Sequence, residues 1–407
     1  MLSRRLAWTV ALAAAFTMTV SYVDRSTLAV LAPAITKALD ISDTGYGWLT
    51  SAFSVAYLVA VPLSGWWIDR AGARRGLLVS VVVWSSVAAL HAIVPGFAML
   101  FALRIALGVA EGPSFPGAAQ TMYRVLPAGD RSRGYAFLFT GSSVGSMIAP
   151  PLASMLYDAY GWRIACLGTA VIGLAWVPVW LALTGRPEVR VELDARPAPT
   201  ETASPGLRAL LADPLVLRGM IAVLGVAPVI GFGLAWASKY LVRAFGTPQG
   251  SVGHYLWLPP LAFDVGAILF GDLAARQRRA SGAPPRALLA VGSVLAAGVA
   301  LLPLMDSPWT GTAILAVSLF GAGAAYTLVT GDLLARMPPA SVSFAGGLLA
   351  AAQSLALIIA NPLIGGSVDR YASFDVAAVV IGAWVIPGCA LWLMWRPAPG
   401  LALRRPL

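Results

Sequence analysis

Residues 65–75 read Gly-Trp-Trp-Ile-Asp-Arg-Ala-Gly-Ala-Arg-Arg and stand between two long apolar stretches. The loop is unusually charged for this chain, in which only 11% of the 407 residues are charged and 58% are hydrophobic. An average soluble domain carries about 25% charged residues, and so few charges cannot cover a water-facing surface. The composition therefore predicts a membrane protein with many spans, and it excludes a soluble enzyme and a disordered protein. Both cysteines lie in apolar runs, so a disulfide framework is excluded as well.

Apolar stretches continue on both sides of this loop, each close to the roughly 20 residues that a membrane helix needs. We count about twelve, beginning near Trp8, Gly45, Gly76, Phe97, Arg133, Trp162, Pro214, Gly250, Ala287, Trp309, Ser341 and Phe374. The first is expected to be a retained helix rather than a cleaved signal peptide, because it contains the charged pair Asp24-Arg25 and further spans follow. With the N-terminus in the cytoplasm, most arginines fall on cytoplasmic loops, tails and helix ends. We therefore expect both termini in the cytoplasm, and we attribute the net charge of +10 to topology rather than to nucleic-acid binding.

The longest hydrophilic stretch separates six predicted spans from the next six. We expect an N-terminal half at 1–185, a cytoplasmic linker at 186–213 and a C-terminal half at 214–407. Pro151, Leu152, Asp158 and Tyr160 recur with the same spacing within residues 362–371. This recurrence favours duplicated halves over a coincidence in an unrelated bundle. The predicted fold is an all-α membrane protein with twelve transmembrane helices in two six-helix, pseudo-symmetric halves, an arrangement common in transporters.

The charged loop at 65–75 resembles the signature loop of the major facilitator superfamily, Gly-x-x-x-Asp-Arg-x-Gly-x-Arg-Arg, at every defining position. The resemblance implies a cytoplasmic gate formed by Gly65, Asp69, Arg70, Gly72, Arg74 and Arg75. We expect Gly65 to permit a close helix approach and Gly72 a tight turn, and Asp69 to pair with a basic residue or to cap a helix. A simple arginine-rich topological anchor is the alternative. Residues 271–276 of the second half, Gly-Asp-Leu-Ala-Ala-Arg, echo residues 65–70 of this loop. They have Ala275 in place of the aspartate, so any clasp there is expected to be weaker.

Ionisable residues within the predicted spans are the main candidates for function, because burying such a group at mid-membrane costs at least ~2.5 kcal/mol. They are Asp24, Arg25, Arg104, Glu111, Asp264 and Asp332. Arg104 and Glu111 are seven residues apart and thus on nearly the same helix face. Counted along their helices, Arg25 and Arg104 lie at similar depth. Two cations that converge in a low-dielectric cavity predict an anion site, with Glu111 able to exchange a proton and Asp24 directed toward a neighbouring helix.

The alternative is that these charges form internal salt bridges without a ligand. For Asp264 and Asp332 the two interpretations are evenly balanced. His91 and His254 are expected to be interfacial residues near outer helix ends rather than proton relays. Pro113 and Pro116 remove two backbone donors after Glu111, so the fourth span is predicted to bend there.

Four stretches, at 21–30, 104–117, 236–241 and 257–266, resemble the anion:cation symporter family, and within it the hexuronate transporters. The resemblance implies proton-coupled uptake of an organic anion, a hexuronate or aldonate-like sugar acid, by alternating access. It implies that Arg25 and Arg104 hold the substrate carboxylate and that Asp24 and Glu111 carry protons. The further substrate contacts that we nominate are Tyr57, Ser142, Lys239, Tyr326, Gln353 and Asn361.

A proton-coupled exporter of drugs or metabolites is the main alternative, and a membrane sensor without transport activity is a second. Such exporters resemble one another in a Gly-Pro-Gly-Gly pattern on the fifth span, whereas here residues 141–151 run from Gly-x-x-x-Gly into Ala-Pro-Pro. No enzyme motif, metal-ligand cluster or cofactor site is found in the sequence. We expect a monomer in a bacterial-type inner membrane. Transport is expected to be coupled to protons, with sodium as the alternative coupling ion.

Overall fold

The computed structural model describes residues 2–194, 207–281, 285–337 and 341–396. Every regular element in these ranges is a helix. The main helices are α1 (Arg4–Val30), α2 (Ala32–Ala38), α3 (Asp43–Ala71), α4 (Ala73–Leu90), α5 (Phe97–Glu111), α6 (Ser114–Val125), α7 (Ala128–Thr184), α8 (Pro187–Asp194), α9 (Leu207–Leu211), α10 (Pro214–Gly231), α11 (Ala237–Phe245), α12 (Gly253–Leu256), α13 (Leu258–Ser281), α14 (Arg286–Ala297), α15 (Pro308–Leu334), α16 (Val342–Tyr371) and α17 (Asp375–Met394). A π-helical segment at Phe232–Trp236 joins α10 to α11.

The described ranges contain 11 helical segments long and apolar enough to cross a membrane. One of them, α7, has 57 residues, which at 1.5 Å per residue would be about 85 Å long, nearly three times a hydrocarbon core. It is broken at Gly161, where φ is 79° and ψ is 172°. A residue with a side chain rarely adopts that φ. Helix α7 therefore contains two spans, one before and one after Gly161. With these counted separately, the described ranges contain the expected twelve spans.

The chain folds as two compact units. The first comprises Met1–Pro199 and Thr247–Trp257, and the second Thr200–Gly246 and Leu258–Leu407. The stretch predicted as a linker, 186–213, contains α8 and α9 at its two ends, and its residues 195–206 lie outside the described ranges. In α8, Val189 and Leu193 are fully buried in the first unit.

Glycines bring the helices of the first unit into close contact. A Cβ at Gly141 or Gly145 of α7 would meet the backbone carbonyl of Ala15 or Thr19 in α1. A Cβ at Gly108 of α5 would likewise meet the backbone of Phe53 in α3. Small residues at such contacts let two helix backbones approach each other closely. Through these contacts α1, which carries Asp24 and Arg25, packs on α7, and α5, which carries Arg104 and Glu111, packs on α3.

The predicted bend of the fourth span is confirmed. Helix α5 ends at Glu111 and α6 begins at Ser114, with Gly112 and Pro113 between them. Proline cannot donate the backbone hydrogen bond that would continue the helix. The span therefore changes direction directly after its buried glutamate.

In the loop at 65–75, the turn is formed as expected and the close approach is not. Gly72 has φ 79°, ψ 149° and separates α3 from α4. A Cβ at Gly65 would meet nothing within 4 Å in the described part of the chain, so the expected close approach at Gly65 is wrong. Gln120 of α6 donates a 2.7 Å hydrogen bond to Asp69, and Arg74 forms a 3.1 Å ion pair with Asp194 of α8.

Candidate functional site

Glu111 and Arg25 form a buried ion pair in the first unit. Glu111 Oε2 accepts from Arg25 Nη2 at 2.7 Å and Nε at 3.2 Å, and from Ser21 Oγ at 2.9 Å. Ser21 and Arg25 lie four residues apart on α1, and thus on the same helix face. The Glu111 side chain is 0% exposed. Its second oxygen, Oε1, has no hydrogen-bond partner among the described residues.

Aromatic rings of α1 and α3 surround the Arg25 guanidinium. Its central carbon lies 4.7 Å from the centroid of the Phe53 ring and 4.8 Å from those of Tyr22 and Tyr57. Phe53 and Tyr57 are themselves stacked, with centroids 5.8 Å apart. Cations are attracted to the faces of such rings, and more strongly when water is excluded. The aromatic side chains thus help to hold a charged group within the helix bundle.

Arg104 approaches the same Phe53 ring, with its guanidinium carbon 4.7 Å from the centroid. It is 4% exposed, and its Nε and Nη1 have no hydrogen-bond acceptor within the described ranges. The two arginines predicted to converge therefore do so, on one phenylalanine. Glu111 is paired with Arg25, whereas Arg104 retains unused donors.

Asp24 is directed away from this pair, toward α4 and α7, as predicted. It lines a small cavity together with Thr27, Leu28, Ala88, His91, Arg104, Leu107, Cys166 and Thr169. Both carboxylate oxygens are buried and have no hydrogen-bond partner in the described portion of the chain. The cavity measures about 10 Å³, near the lower limit for one water molecule. Arg104 therefore shares this cavity with Asp24 and also interacts electrostatically with Glu111.

The remaining nominated residues lie on five helices, two in the first unit and three in the second. Tyr57 lies against Arg25, as described above. Ser142 is half-buried, and its hydroxyl donates to the Leu138 carbonyl of its own helix rather than to the arginines. In the second unit Asn361 is buried and accepts a 3.0 Å bond from the indole of Trp236, at the end of the π-helical segment. π-Helical segments occur frequently at functional sites.

Three further residues of the second unit were nominated from the sequence. Lys239 is buried in α11, only three residues beyond Trp236. Tyr326 of α15 and Gln353 of α16 are half-buried. The nominated residues of this unit therefore lie on three helices, α11, α15 and α16.

Asp332, whose role the sequence left open, is the centre of a basic cluster in the second unit. Its Oδ2 accepts from Arg218 at 2.7 Å, and its Oδ1 accepts from Arg278 at 2.9 Å and from Arg336 at 2.9 Å. Arg218 also donates to the Trp395 carbonyl at 3.2 Å. For Asp332 the geometry favours the interpretation as an internal salt bridge. Asp264 is half-buried in α13.

Sequence reasoning missed several members of the first-unit site. Ser21, Tyr22 and Phe53 all contact Arg25 or its glutamate. The helical period could have found two of them, because Ser21 precedes Arg25 by four residues and Phe53 precedes Tyr57 by four. The packing of α3 against α1 and α5 cannot be obtained from such spacing.

The profile of the Major Facilitator Superfamily matches residues 14–360. The chain is 25% identical over 405 residues to the probable galactarate/D-glucarate transporter of Bacillus subtilis (strain 168), covering 92% of this chain and 88% of that protein. It is 24% identical to the hexuronate transporter of Escherichia coli (strain K12), with coverage of 93% and 92%.

Among solved structures, the fold is similar to the crystal structure of a bacterial homolog of the human lysosomal transporter Spinster. The TM-score is 0.83 at 17% identity, and the match covers 98% of this chain and all of that one. Fold, spans and sequence profile agree. The chain therefore belongs to the Major Facilitator Superfamily and is a multi-pass membrane transporter rather than an enzyme.

Proposed function

We propose that the protein takes up an organic anion, a hexuronate or aldonate-like sugar acid, together with protons by alternating access. The observation that carries this proposal is the convergence of Arg25 and Arg104 on Phe53 with only one of them paired to a carboxylate. The similarity to transporters of galactarate, glucarate and hexuronates supports the same class of substrate. We further propose an inner-membrane monomer with both termini in the cytoplasm.

The charges of the site suggest how proton and anion would be coupled. Two arginines and the carboxylates of Asp24 and Glu111 sum to zero when all four are ionised. Protonation of Glu111 removes the carboxylate partner of Arg25 and leaves a net positive charge in a buried site. Arginine binds carboxylates well through its planar fork of donors, so a substrate carboxylate would replace Glu111 on Arg25. Proton and substrate would then enter and leave together.

The hydroxyl groups of the substrate need partners of their own. In the first unit we propose Tyr57 and Ser142. In the second unit we propose Lys239, Tyr326, Gln353 and Asn361. Asn361 is the best positioned of these, because the Trp236 indole occupies its amide oxygen and thereby orients its amide nitrogen. The gate role of the loop at 65–75 also remains a proposal, which the Arg74–Asp194 pair supports.

The test uses purified protein in proteoliposomes with an acidic exterior and labelled glucuronate, galacturonate, gluconate and galactonate in parallel. We expect at least one to accumulate above its external concentration, and a protonophore to abolish that accumulation. Accumulation driven by a sodium gradient instead would overturn proton coupling, whereas the proposed anion site would still stand. No accumulation, combined with proton-driven expulsion of preloaded compounds, would favour the exporter.

A further inference from the structure

We propose that His91 is the residue through which protons from the outer side reach Asp24. This inference rests on the proton coupling proposed above and adds a positioning and transfer residue to it. The sequence predicted an interfacial side chain at His91. In the structure it is 5% exposed and lines the cavity that also contains Asp24 and Arg104.

A single hydrogen bond fixes the orientation of the His91 ring. Nδ1 lies 2.9 Å from the carbonyl oxygen of Val87, one turn earlier in α4. A carbonyl can only accept, so in the neutral ring Nδ1 carries the hydrogen and Nε2 carries the lone pair. Nε2 is buried and has no partner among the residues described. His91 therefore presents a proton acceptor, held in a defined direction, to its surroundings.

The cavity also contains the Asp24 carboxylate, which interacts with the Trp84 indole but makes no hydrogen bond of standard geometry among the described residues. Asp24 Oδ1 and Oδ2, Arg104 Nε and Nη1, and His91 Nε2 are all buried polar atoms without a bond in the described ranges. So many unmatched polar groups around one small space are unusual, because nearly all buried polar atoms in proteins are paired. The cavity has room for about one water molecule. Both groups line this cavity without bonding to each other, so the proton would pass between them through one bridging water.

His91 also lies at the rim of the bundle. It opens the short 3-10 turn His91–Ile93 that follows α4, and Ile93 is 65% exposed. Arg163, just after the Gly161 break, donates to the carbonyls of Ala92 at 2.8 Å and Val94 at 3.1 Å. The turn is therefore fixed from the side of α7, and one residue of chain separates the buried imidazole from the exposed surface.

The transfer balances with these groups alone. A proton from external water binds Nε2 and gives an imidazolium that keeps its Nδ1–H bond to Val87. The same proton then leaves Nε2 for the Asp24 carboxylate, which becomes a neutral carboxylic acid, and the ring returns to its starting tautomer. No oxidant, reductant or further reactant is needed.

The charged and titratable neighbours come from every helix around the cavity. They are Asp24 of α1, Arg104 and Glu111 of α5, Arg163 and Cys166 of α7 and, beside Arg104, Tyr46 of α3. Arg104 opposes a lasting positive charge on the imidazole, whereas Asp24 draws the proton onward. The arrangement suits a transient carrier rather than a stored charge.

The test compares His91→Asn with the wild type in the proteoliposome assay. Asparagine keeps a donor for the Val87 carbonyl and removes the second nitrogen. We expect the initial rate of gradient-driven accumulation to fall at least about tenfold, while substrate exchange without a gradient stays within about twofold. His91→Gln should show the same loss of accumulation, because the glutamine amide reaches into the cavity but does not take up a proton. The matched control is His254→Asn, at an exposed histidine of the same unit, with both rates unchanged.

Each other outcome has a definite meaning. Full accumulation in His91→Asn would overturn the role of His91 and leave proton coupling intact. Equal loss of accumulation and exchange in both His91 variants would mean a purely structural role and would also overturn it. A wild type that does not respond to the pH gradient would overturn the proposed coupling itself, before any variant is compared.

Discussion

Glu111 and Asp332 are both buried carboxylates, one in each unit, and they are held in opposite ways. Glu111 binds one arginine through one oxygen, Oε2, and its other oxygen has no hydrogen-bond partner among the described residues. Asp332 uses both oxygens and binds three arginines, Arg218, Arg278 and Arg336. The first carboxylate can lose its partner to a competing anion at the cost of one ion pair. The second cannot be neutralised without leaving three cations uncompensated.

Burial of a charge therefore does not by itself indicate a transport function. Removing one partner of a buried ion pair is strongly destabilising, because the other charge is left without compensation. A carboxylate that must exchange its proton during each cycle has to avoid that penalty. We therefore expect variants of Asp332 to affect folding and variants of the Glu111 site to affect transport.

The largest effect is expected for Asp332→Asn. Loss of the carboxylate leaves Arg218, itself buried, facing two other cations, and should destabilise the protein by roughly 3–5 kcal/mol. Thermal unfolding in detergent would measure this. The control is Asp272→Asn, whose partner Arg276 is 70% exposed and whose loss should cost less than about 1 kcal/mol. Equal stability of the two variants would contradict the stabilising role of the ion pairs between Asp332 and its three arginines.

Arg104→Ala comes next, and should abolish detectable anion binding while the protein remains folded. Arg104 offers donors that are not engaged within the described ranges, and truncating a buried, ligand-bound charge weakens binding by about 100-fold or more. Ligand-induced thermal shift with the transported sugar acid measures the loss. Arg276→Ala, in the exposed pair, controls for the change in net charge. Affinity retained within a few-fold would place the anion site elsewhere.

Glu111→Gln should separate coupling from binding. Glutamine still accepts hydrogen bonds from Ser21 and Arg25 but does not carry a proton at neutral pH. Proton-driven accumulation should stop, while substrate exchange across liposomes without a gradient remains measurable. Glu188→Gln, at an exposed position of α8, is the control and should accumulate normally. Uphill uptake that is unchanged in Glu111→Gln would remove the residue from the coupling mechanism.

The smallest effect is expected for Phe53→Leu. Leucine fills most of the volume but lacks the ring face that both arginines contact, and each cation–π contact contributes about 0.5–2 kcal/mol. Substrate affinity should fall roughly fivefold to tenfold, and because Phe53 is a buried core residue, stability should fall by about 1 kcal/mol. Phe139→Leu is the control, because Phe139 is 63% exposed and its ring packs against Phe115 rather than against an arginine. An unchanged affinity would show that the shared ring has no part in holding the two cations.

The two regions also differ in how far they could be predicted from the sequence. Arg104 and Glu111 are seven residues apart, so helical periodicity places them together, and Pro113 marks the bend beside them. A break between the fifth and sixth spans was expected just before Trp162, and Gly161 is where α7 breaks. These features depend on neighbours within a few turns of one helix.

The surroundings of Asp332 depend on contacts that local patterns do not encode. Arg218 is 114 residues away along the chain and Arg278 is 54, and only the packing of α10 and α13 against α15 brings them together. The same limit applies to Gly65, whose expected close approach is absent because no described helix packs on that face. The assignment of Glu111 to Arg25 rather than to Arg104 likewise required the structure.

Residues 21–25 of α1 place two separate ionic environments within a little more than one helical turn. Ser21 and Arg25 contact Glu111, whereas Asp24 lies in the cavity with His91. Because successive residues of a helix are rotated by about 100°, one residue inserted just before Ser21 would turn both sets of side chains away from their partners at once. A point substitution leaves the other side chains of the segment on their own helix faces. This segment can therefore be redesigned by exchange of side chains, but its length is fixed by the geometry that it serves.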